Sequence, residues 1–166
     1  VLRRITMTDE RRKARAIQRG LNWTLGMQSR NGGWGAFDTD NLREIFNKIP
    51  FADMEAMLDQ PTADLTGRHL ELMGDFGYDL GLRPAKRALE FLKRTQEPSG
   101  AWWGRWGVNY IYGTWSVLAG LRSIGEDEEI SVSVLGEDAG RTVSRLEVSQ
   151  IIEARMRETF ELLRNE

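Results

Sequence analysis

Apolar residues recur at helical spacing through the first three quarters of the chain and give way to alternation near the end. Ile17, Leu21 and Leu25 fall four residues apart, which predicts a helix over residues 9 to 27, capped by Thr8, with Arg11, Arg12 and Lys13 beginning its solvated side. The run Asn31-Gly32-Gly33-Trp34-Gly35 should stop it. Residues 51 to 58 form a short helix candidate. Thr62 opens a further helix with Leu65, Leu72, Met73 and Phe76 on roughly one face and Gly77 as its stop. Pro84 suits the first turn of a helix bearing Ala85, Ala88, Leu89 and Leu92, and residues 110 to 124 read as an apolar helix, buried on most sides and ended by Gly125.

Beyond Gly125 the pattern changes. An acidic run, Glu126 to Glu129, precedes the alternating segment Ile130 to Leu135, and Gly136 to Arg141 reads as a turn. Ser144 and Glu147 form a capping-box pair opening a helix over residues 144 to 164, striped by Val148, Ile151, Ile152, Phe160 and Leu163. These changes place a boundary near residue 127, dividing residues 1–126 from a strand-turn-helix tail over 127–166.

Composition narrows the function classes. The chain has 166 residues, the size of one domain, and 40% of them are hydrophobic, enough for an ordinary core. A formal net charge of -2 leaves no basic excess for neutralising phosphates, so nucleic acid is not an expected partner. With no cysteine, a disulfide framework and a thiolate metal site are both excluded, and no cofactor or metal is expected. Neither a signal peptide nor an 18-residue apolar span can be read in the chain. Val1 in place of Met suggests a start inside a longer reading frame or a processed chain.

The chain also repeats itself. Residues 19 to 34 match residues 87 to 102 without a gap, pairing Arg19 with Arg87, Gly20 with Ala88, Trp23 with Phe91, Gln28 with Gln96, Gly32 with Gly100 and Trp34 with Trp102. A glutamine at a helix end can hydrogen-bond unsatisfied backbone groups of neighbouring helix ends, a glycine lets the chain turn, and the tryptophan shields the pair. Gln28 and Gln96 are therefore expected in corresponding positions beside Trp34 and Trp102.

This Gln-to-Trp pattern resembles the QW motif of the triterpene cyclases. Residues 28–41 (QSRNGGWGAFDTDN), 63–79 (ADLTGRHLELMGDFGYD) and 99–114 (SGAWWGRWGVNYIYGT) resemble successive segments of squalene-hopene cyclases, so the likeness covers residues 8 to 125. It implies a mainly α fold, here a partial α/α-barrel (toroid) of QW-type repeats with an aromatic cavity. It further implies squalene or a similar polyprenoid as substrate, and monotopic attachment of the parent enzyme to the bacterial inner membrane at its cytoplasmic side. An incomplete barrel should leave Leu72, Phe76, Tyr112, Trp115 and Leu118 as a contiguous exposed surface, favouring self-association or membrane binding. Residues from about 130 to 166, through GEDAGRTVSRLEVSQIIEARMRETFELLRNE with its Ser-Arg pair and Glu-x-Arg helix, resemble a strand-turn-helix piece of the bacterial actin-like cell-division proteins, without their phosphate-binding loop; a helical tail related to neither family is the alternative.

Cyclising a polyene requires an acid able to protonate a carbon-carbon double bond and a dry cavity whose aromatic faces stabilise migrating positive charge. In the family the acid is an aspartate of an Asp-x-Asp-Asp motif, which none of these 166 residues spells. Asp38-Thr39-Asp40-Asn41 is read instead as a polar turn. By the resemblance Arg68 occupies the position of a His or Arg that partners the catalytic aspartate, while a plain surface arginine on an amphipathic helix is the alternative. Trp106 and Tyr112 match cavity-lining aromatics, and Phe37 matches a position often held by Tyr. His69 matches no family role and is expected to be structural. The chain by itself is accordingly expected to give no turnover. Two other classes remain: a non-catalytic helical scaffold binding an apolar ligand or partner, and a sugar-active α/α-barrel enzyme, for which no pair of catalytic carboxylates can be placed.

Overall fold

A computed structural model of the chain describes residues 9–43, 58–107, 109–125, 129–132 and 141–144. Four helices and one strand pair occupy them: α1 (Glu10–Gly26), α2 (Ala63–Asp75), α3 (Arg83–Thr95), α4 (Tyr110–Ser123), β1 (Glu129–Val132) and β2 (Arg141–Ser144). The four helices begin and end within two residues of the expected boundaries. The cap of α1 is Asp9 and not Thr8: its carboxylate accepts from the Arg12 backbone N–H at 2.9 Å, putting negative charge at the positive end of the helix dipole. Thr62 stands at the cap of α2 but makes no side-chain capping bond; its backbone N–H is instead given to the Trp34 carbonyl at 3.1 Å.

Three of the helices stop or turn for the expected reasons. Pro84 lies in the first turn of α3, and Gly77 and Gly125 take positive φ just beyond α2 and α4. Lys93 and Arg94 sit in the last turn of α3, where cations meet the negative end of the dipole.

The core lies where α2 packs on α4, with α3 also packed on α2. Leu70, Met73, Leu92, Val117, Leu118 and Leu121 are buried there with Trp34 and Trp102. The packing is close because glycines make it so. A Cβ added at Gly67 would overlap the Ser116 carbonyl, one at Gly120 the Gly67 carbonyl, and one at Gly74 the Ser123 carbonyl. That approach changes which apolar residues are bare: Leu118, expected at the surface, is 1% exposed, and Leu72, Phe76, Tyr112 and Trp115 are half-buried. The exposed large apolar residues are others, among them Trp23, Phe37, Trp106, Tyr110 and Ile111.

In the tail, the described part of the alternating segment, through Val132, forms a strand. β1 pairs antiparallel with β2, Glu129 opposite Ser144 and Val132 opposite Arg141. A second strand not expected from the sequence covers residues 141 to 144, taking Arg141 out of the expected turn; its backbone groups find ladder partners beside β1. The helix expected over residues 144 to 164 lies outside the described residues apart from Ser144. The one over 51 to 58 does too, apart from Leu58, which is not helical.

Candidate functional site

The two Gln-Trp turns repeat the same internal hydrogen bonds, Gln28 alone donating further to the Pro84 carbonyl. Gln28 Nε2 donates to the Gly32 carbonyl at 2.8 Å and Gln96 Nε2 to the Gly100 carbonyl at 2.9 Å. The Trp34 indole N–H reaches the Thr24 carbonyl and the Trp102 indole N–H the Leu92 carbonyl, both at 2.8 Å, so each ring closes the orphan end of its own helix. Backbone N–H groups of Trp34 and Trp102 donate to the hydroxyls of Thr66 and Thr114, which join each turn to the helix that follows it. Gly32 and Gly100 share positive φ, 97° and 84°. The correspondence of Gln28 with Gln96 beside Trp34 and Trp102 expected from the sequence repeat is therefore met in these bonds.

His69 stacks on Trp34 with ring centroids 4.8 Å apart and an interplanar angle of 6°. Its Nδ1 lies 2.7 Å from the Leu65 carbonyl, which can only accept, so Nδ1 carries the proton. Burial holds this imidazole below its usual pKa, the carbonyl contact opposing the shift. Both contacts fix the ring in place within the fold.

Phe37 and Trp106 come together although 69 positions separate them. Their rings meet edge to face, centroids 5.7 Å apart at 84°, and both are exposed. Two buried carboxylates underlie the pair. Asp59 Oδ2 accepts from the backbone N–H groups of Phe37 and Asp38, and Asp64 Oδ2 accepts from the Trp106 N–H at 3.1 Å. Each aspartate thus fixes the backbone from which one ring projects. Sequence reasoning passed over Asp59 and gave Asp64 no role. The available signal was a carboxylate beside apolar neighbours, Met57-Leu58-Asp59 and Ala63-Asp64-Leu65.

Tyr112 lies against Gly104 and Gly107, where added Cβ atoms would strike its ring, and is 6.3 Å from Trp115 at a 45° tilt. Arg68 rests its guanidinium 5.1 Å from the Trp115 ring centroid, and its Nη1 donates to Glu71 at 3.0 Å. Arg68 is thus joined through Trp115 to Tyr112, and Tyr112 adjoins the loop bearing Trp106. The four residues singled out from the sequence fall into two aromatic groupings linked at Gly107.

Asp38-Thr39-Asp40-Asn41 is a polar turn in the structure. Asp40, at φ 63°, accepts from the Arg30 backbone N–H and guanidinium, and Asn41 donates to Asp38. Those bonds from Arg30 hold the Asp40 carboxyl below its usual range, so at neutral pH it is ionised and has no proton to give. Among the described residues no cluster of His, Cys, Asp or Glu could hold a metal ion.

An array of helix pairs clipped by repeated Gln-Trp turns, with an aromatic pair buttressed from below, defines a QW-repeat terpene cyclase segment. Residues 1–137 match the family Squalene-hopene cyclase C-terminal domain, a match running about ten residues past the boundary inferred near 127. Similar proteins include the squalene-hopene cyclase of Alicyclobacillus acidocaldarius, 48% identical over 75% of this chain and 20% of that protein. The squalene-hopene cyclase of Zymomonas mobilis is 51% identical over 68% of the chain and 16% of that protein. One from Schizosaccharomyces japonicus is 49% identical over 66% and 17%. The chain belongs to the squalene-hopene cyclase family, and it spans about a fifth of the length of these relatives.

Proposed function

We propose that this chain supplies the aromatic, charge-stabilising part of a cyclase acting on squalene or a similar polyprenoid, and that it is inactive without an acid from elsewhere. The observation that carries the reading is the Phe37–Trp106 pair with Asp59 and Asp64 beneath it. Rings held by buried backbone contacts keep their faces fixed while positive charge migrates over a substrate, which is what preorganised stabilisation requires. Tyr112 extends the aromatic surface. Phe37 has no hydroxyl, so its contribution is the ring face alone.

Arg68 is the residue we assign as partner to the absent aspartate. Glu71 engages one nitrogen of its fork, leaving Nε and Nη2 as further donors toward a carboxylate. An arginine at that place would hold one carboxylate ionised while a neighbour keeps its proton. Nothing in this sequence matches Asp-x-Asp-Asp, and Asp40 is already ionised against Arg30.

For the complete cyclase we further propose monotopic attachment at the cytoplasmic side of the bacterial inner membrane. Exposed Tyr110 and Ile111 at the start of α4 offer apolar surface of the kind that enters a lipid interface. Residues 127–166 are in this reading a segment of separate origin following the cyclase part.

Two experiments test the proposal. The purified chain incubated with squalene should give no polycyclic product by mass spectrometry; hopene formed in dependence on Asp38 or Asp40 would overturn it. Residues 9–125 grafted in place of the matching segment of an intact family member should support cyclisation, and Trp106→Ala in the graft should depress it. A folded graft as active with Trp106→Ala as without it would remove the assigned role. A non-catalytic module that binds an apolar ligand is the second reading, favoured by the 71% exposure of Phe37.

A further inference from the structure

Phe37 and Trp106 project from two separate pieces of backbone, and one buried side chain spans the supports of both. Trp106 stands in the loop of residues 103–107, where Asp64 accepts its N–H at 3.1 Å and the start of α4 presses close. A Cβ added at Gly104 would overlap the Gly113 backbone, and one at Gly107 the Tyr112 ring. Phe37 stands in residues 35–38, seated on Asp59. The Asp59 carboxylate accepts from the Phe37 and Asp38 N–H groups, and a Cβ added at Gly35 would overlap both its Oδ2 and its backbone carbonyl.

Where Asp59 stands therefore decides where Phe37 stands. Asp59 is the middle residue of a tight turn in which the Gln60 N–H donates to the Leu58 carbonyl at 3.0 Å. A second donor reaches the same carbonyl: Arg105 Nη1, at 3.4 Å, from the residue next to Trp106. Arg105 is 6% exposed, and its guanidinium lies 5.8 Å from the Trp103 ring centroid, which holds it from the other side. Its Nε is buried without a hydrogen-bond partner, and among the described residues Arg105 forms no ion pair. A permanent charge kept this way carries a desolvation cost that one long bond and one ring face offset only in part. Arg105 is thus a poor source of net stability and a well-placed strut between the 58–60 turn and the Trp106 loop.

We propose that Arg105 is a positioning residue for the Phe37–Trp106 pair: by bracing the 58–60 turn from the backbone beside Trp106, it sets the separation and edge-to-face angle of the two rings. Asp59 orients the Phe37 backbone and Asp64 the Trp106 backbone, each on its own side. Arg105 joins the two supports across 47 positions of sequence. The consequence for catalysis rests on the reading that these rings stabilise migrating positive charge. On that reading a displacement of about 1 Å in one ring costs up to about a hundredfold in rate, because the stabilising face no longer meets the charge. Binding of a polyprenoid draws on apolar area spread over many residues and does not depend on that angle.

NMR on the full chain reads the ring geometry directly, in Arg105→Met, which keeps an unbranched apolar stem, and in Arg105→Lys, which keeps a donor. In Arg105→Met the nuclear Overhauser effects between the Phe37 and Trp106 rings should weaken, and the ring-current shifts of Phe37 should move toward those of a free phenylalanine. The Trp34 and Trp102 indole N–H signals should stay in place. The urea midpoint should hold or rise, since a buried charge with an unpartnered nitrogen gives way to an apolar side chain. Arg105→Lys should restore part of the ring contact. Unchanged ring signals in Arg105→Met would overturn the proposal. So would a lowered midpoint with shifts spreading to Trp34 and Trp102, the signature of a plain structural role, or an equal loss of ring contact in both variants. In the graft of residues 9–125 into an intact family member, Arg105→Met should lower kcat about ten- to a hundredfold with KM for squalene unchanged. Displaced rings with an unaltered kcat would uphold Arg105 as the strut and remove the catalytic role of the pair, so the two readings fail separately.

Discussion

Gly20 and Gly67 are both helix-interior glycines, and replacing each by alanine should change stability in opposite directions. At Gly20 an added methyl meets nothing within 4 Å, so only helix propensity counts and α1 gains about 0.8 to 1 kcal/mol. At Gly67 the same gain is opposed by overlap with the Ser116 carbonyl and the Val117 backbone. Backbone atoms cannot rotate out of the way as a side chain can. α2 and α4 must part, and a radial gap of about 0.5 to 1 Å forfeits roughly a quarter to a half of each dispersion contact between them. The buried Leu70 and Met73 of α2 and Val117 and Leu121 of α4 share that loss. Overpacking typically costs about 1 to 3 kcal/mol, and a backbone clash belongs at or beyond the upper end, so Gly67→Ala should be net destabilising by about 1 to 2 kcal/mol or more. Urea and thermal unfolding followed by circular dichroism separates the two, each kcal/mol moving the midpoint by roughly 2 to 8 °C. A Gly67→Ala chain as stable as the unmodified one, measured beside a stabilised Gly20→Ala chain, would show that α2 and α4 do not approach there.

Trp102→Phe should destabilise by about 1 to 3 kcal/mol in the same assay, because it removes the indole donor to the buried Leu92 carbonyl, leaving only the longer 3.3 Å bond from the Thr95 hydroxyl, and opens a cavity; a loss under about 0.5 kcal/mol would contradict the capping role of the indole N–H. His69 has a folded pKa held below its unfolded value near 6.5 by burial, so the unfolded chain takes up a proton that the folded one refuses, and stability should fall as pH drops below about 6.5. His69→Phe should flatten that dependence between pH 7.5 and 5, and an unaltered slope would exclude the imidazole as its source. Asp59→Ala removes the acceptor for two backbone N–H groups and should cost about 1 to 3 kcal/mol while loosening the Phe37–Trp106 contact seen by NMR. Unchanged ring contacts in that variant would mean Asp59 does not support the pair.

Much of the fold was legible in the chain because its determinants are local. Helix ends at Gly77, Pro84 and Gly125 follow from backbone preferences that each residue carries with it, and the 68-residue repeat placed Gln28 and Gln96 in matching roles before any contact was known. The resemblance to squalene-hopene cyclases rested on contiguous segments that a single sequence displays in full. What only the tertiary structure decided depends on groups far apart in the chain. Which apolar residues stay bare was settled by the α2–α4 approach at Gly67, Gly74 and Gly120, and no periodicity reports how closely two helices meet. The Phe37–Trp106 pair likewise depends on Asp59 and Asp64 accepting from backbone N–H groups 21 to 42 positions away, and a carboxylate's type does not reveal whether folding leaves it in water or beneath an aromatic ring.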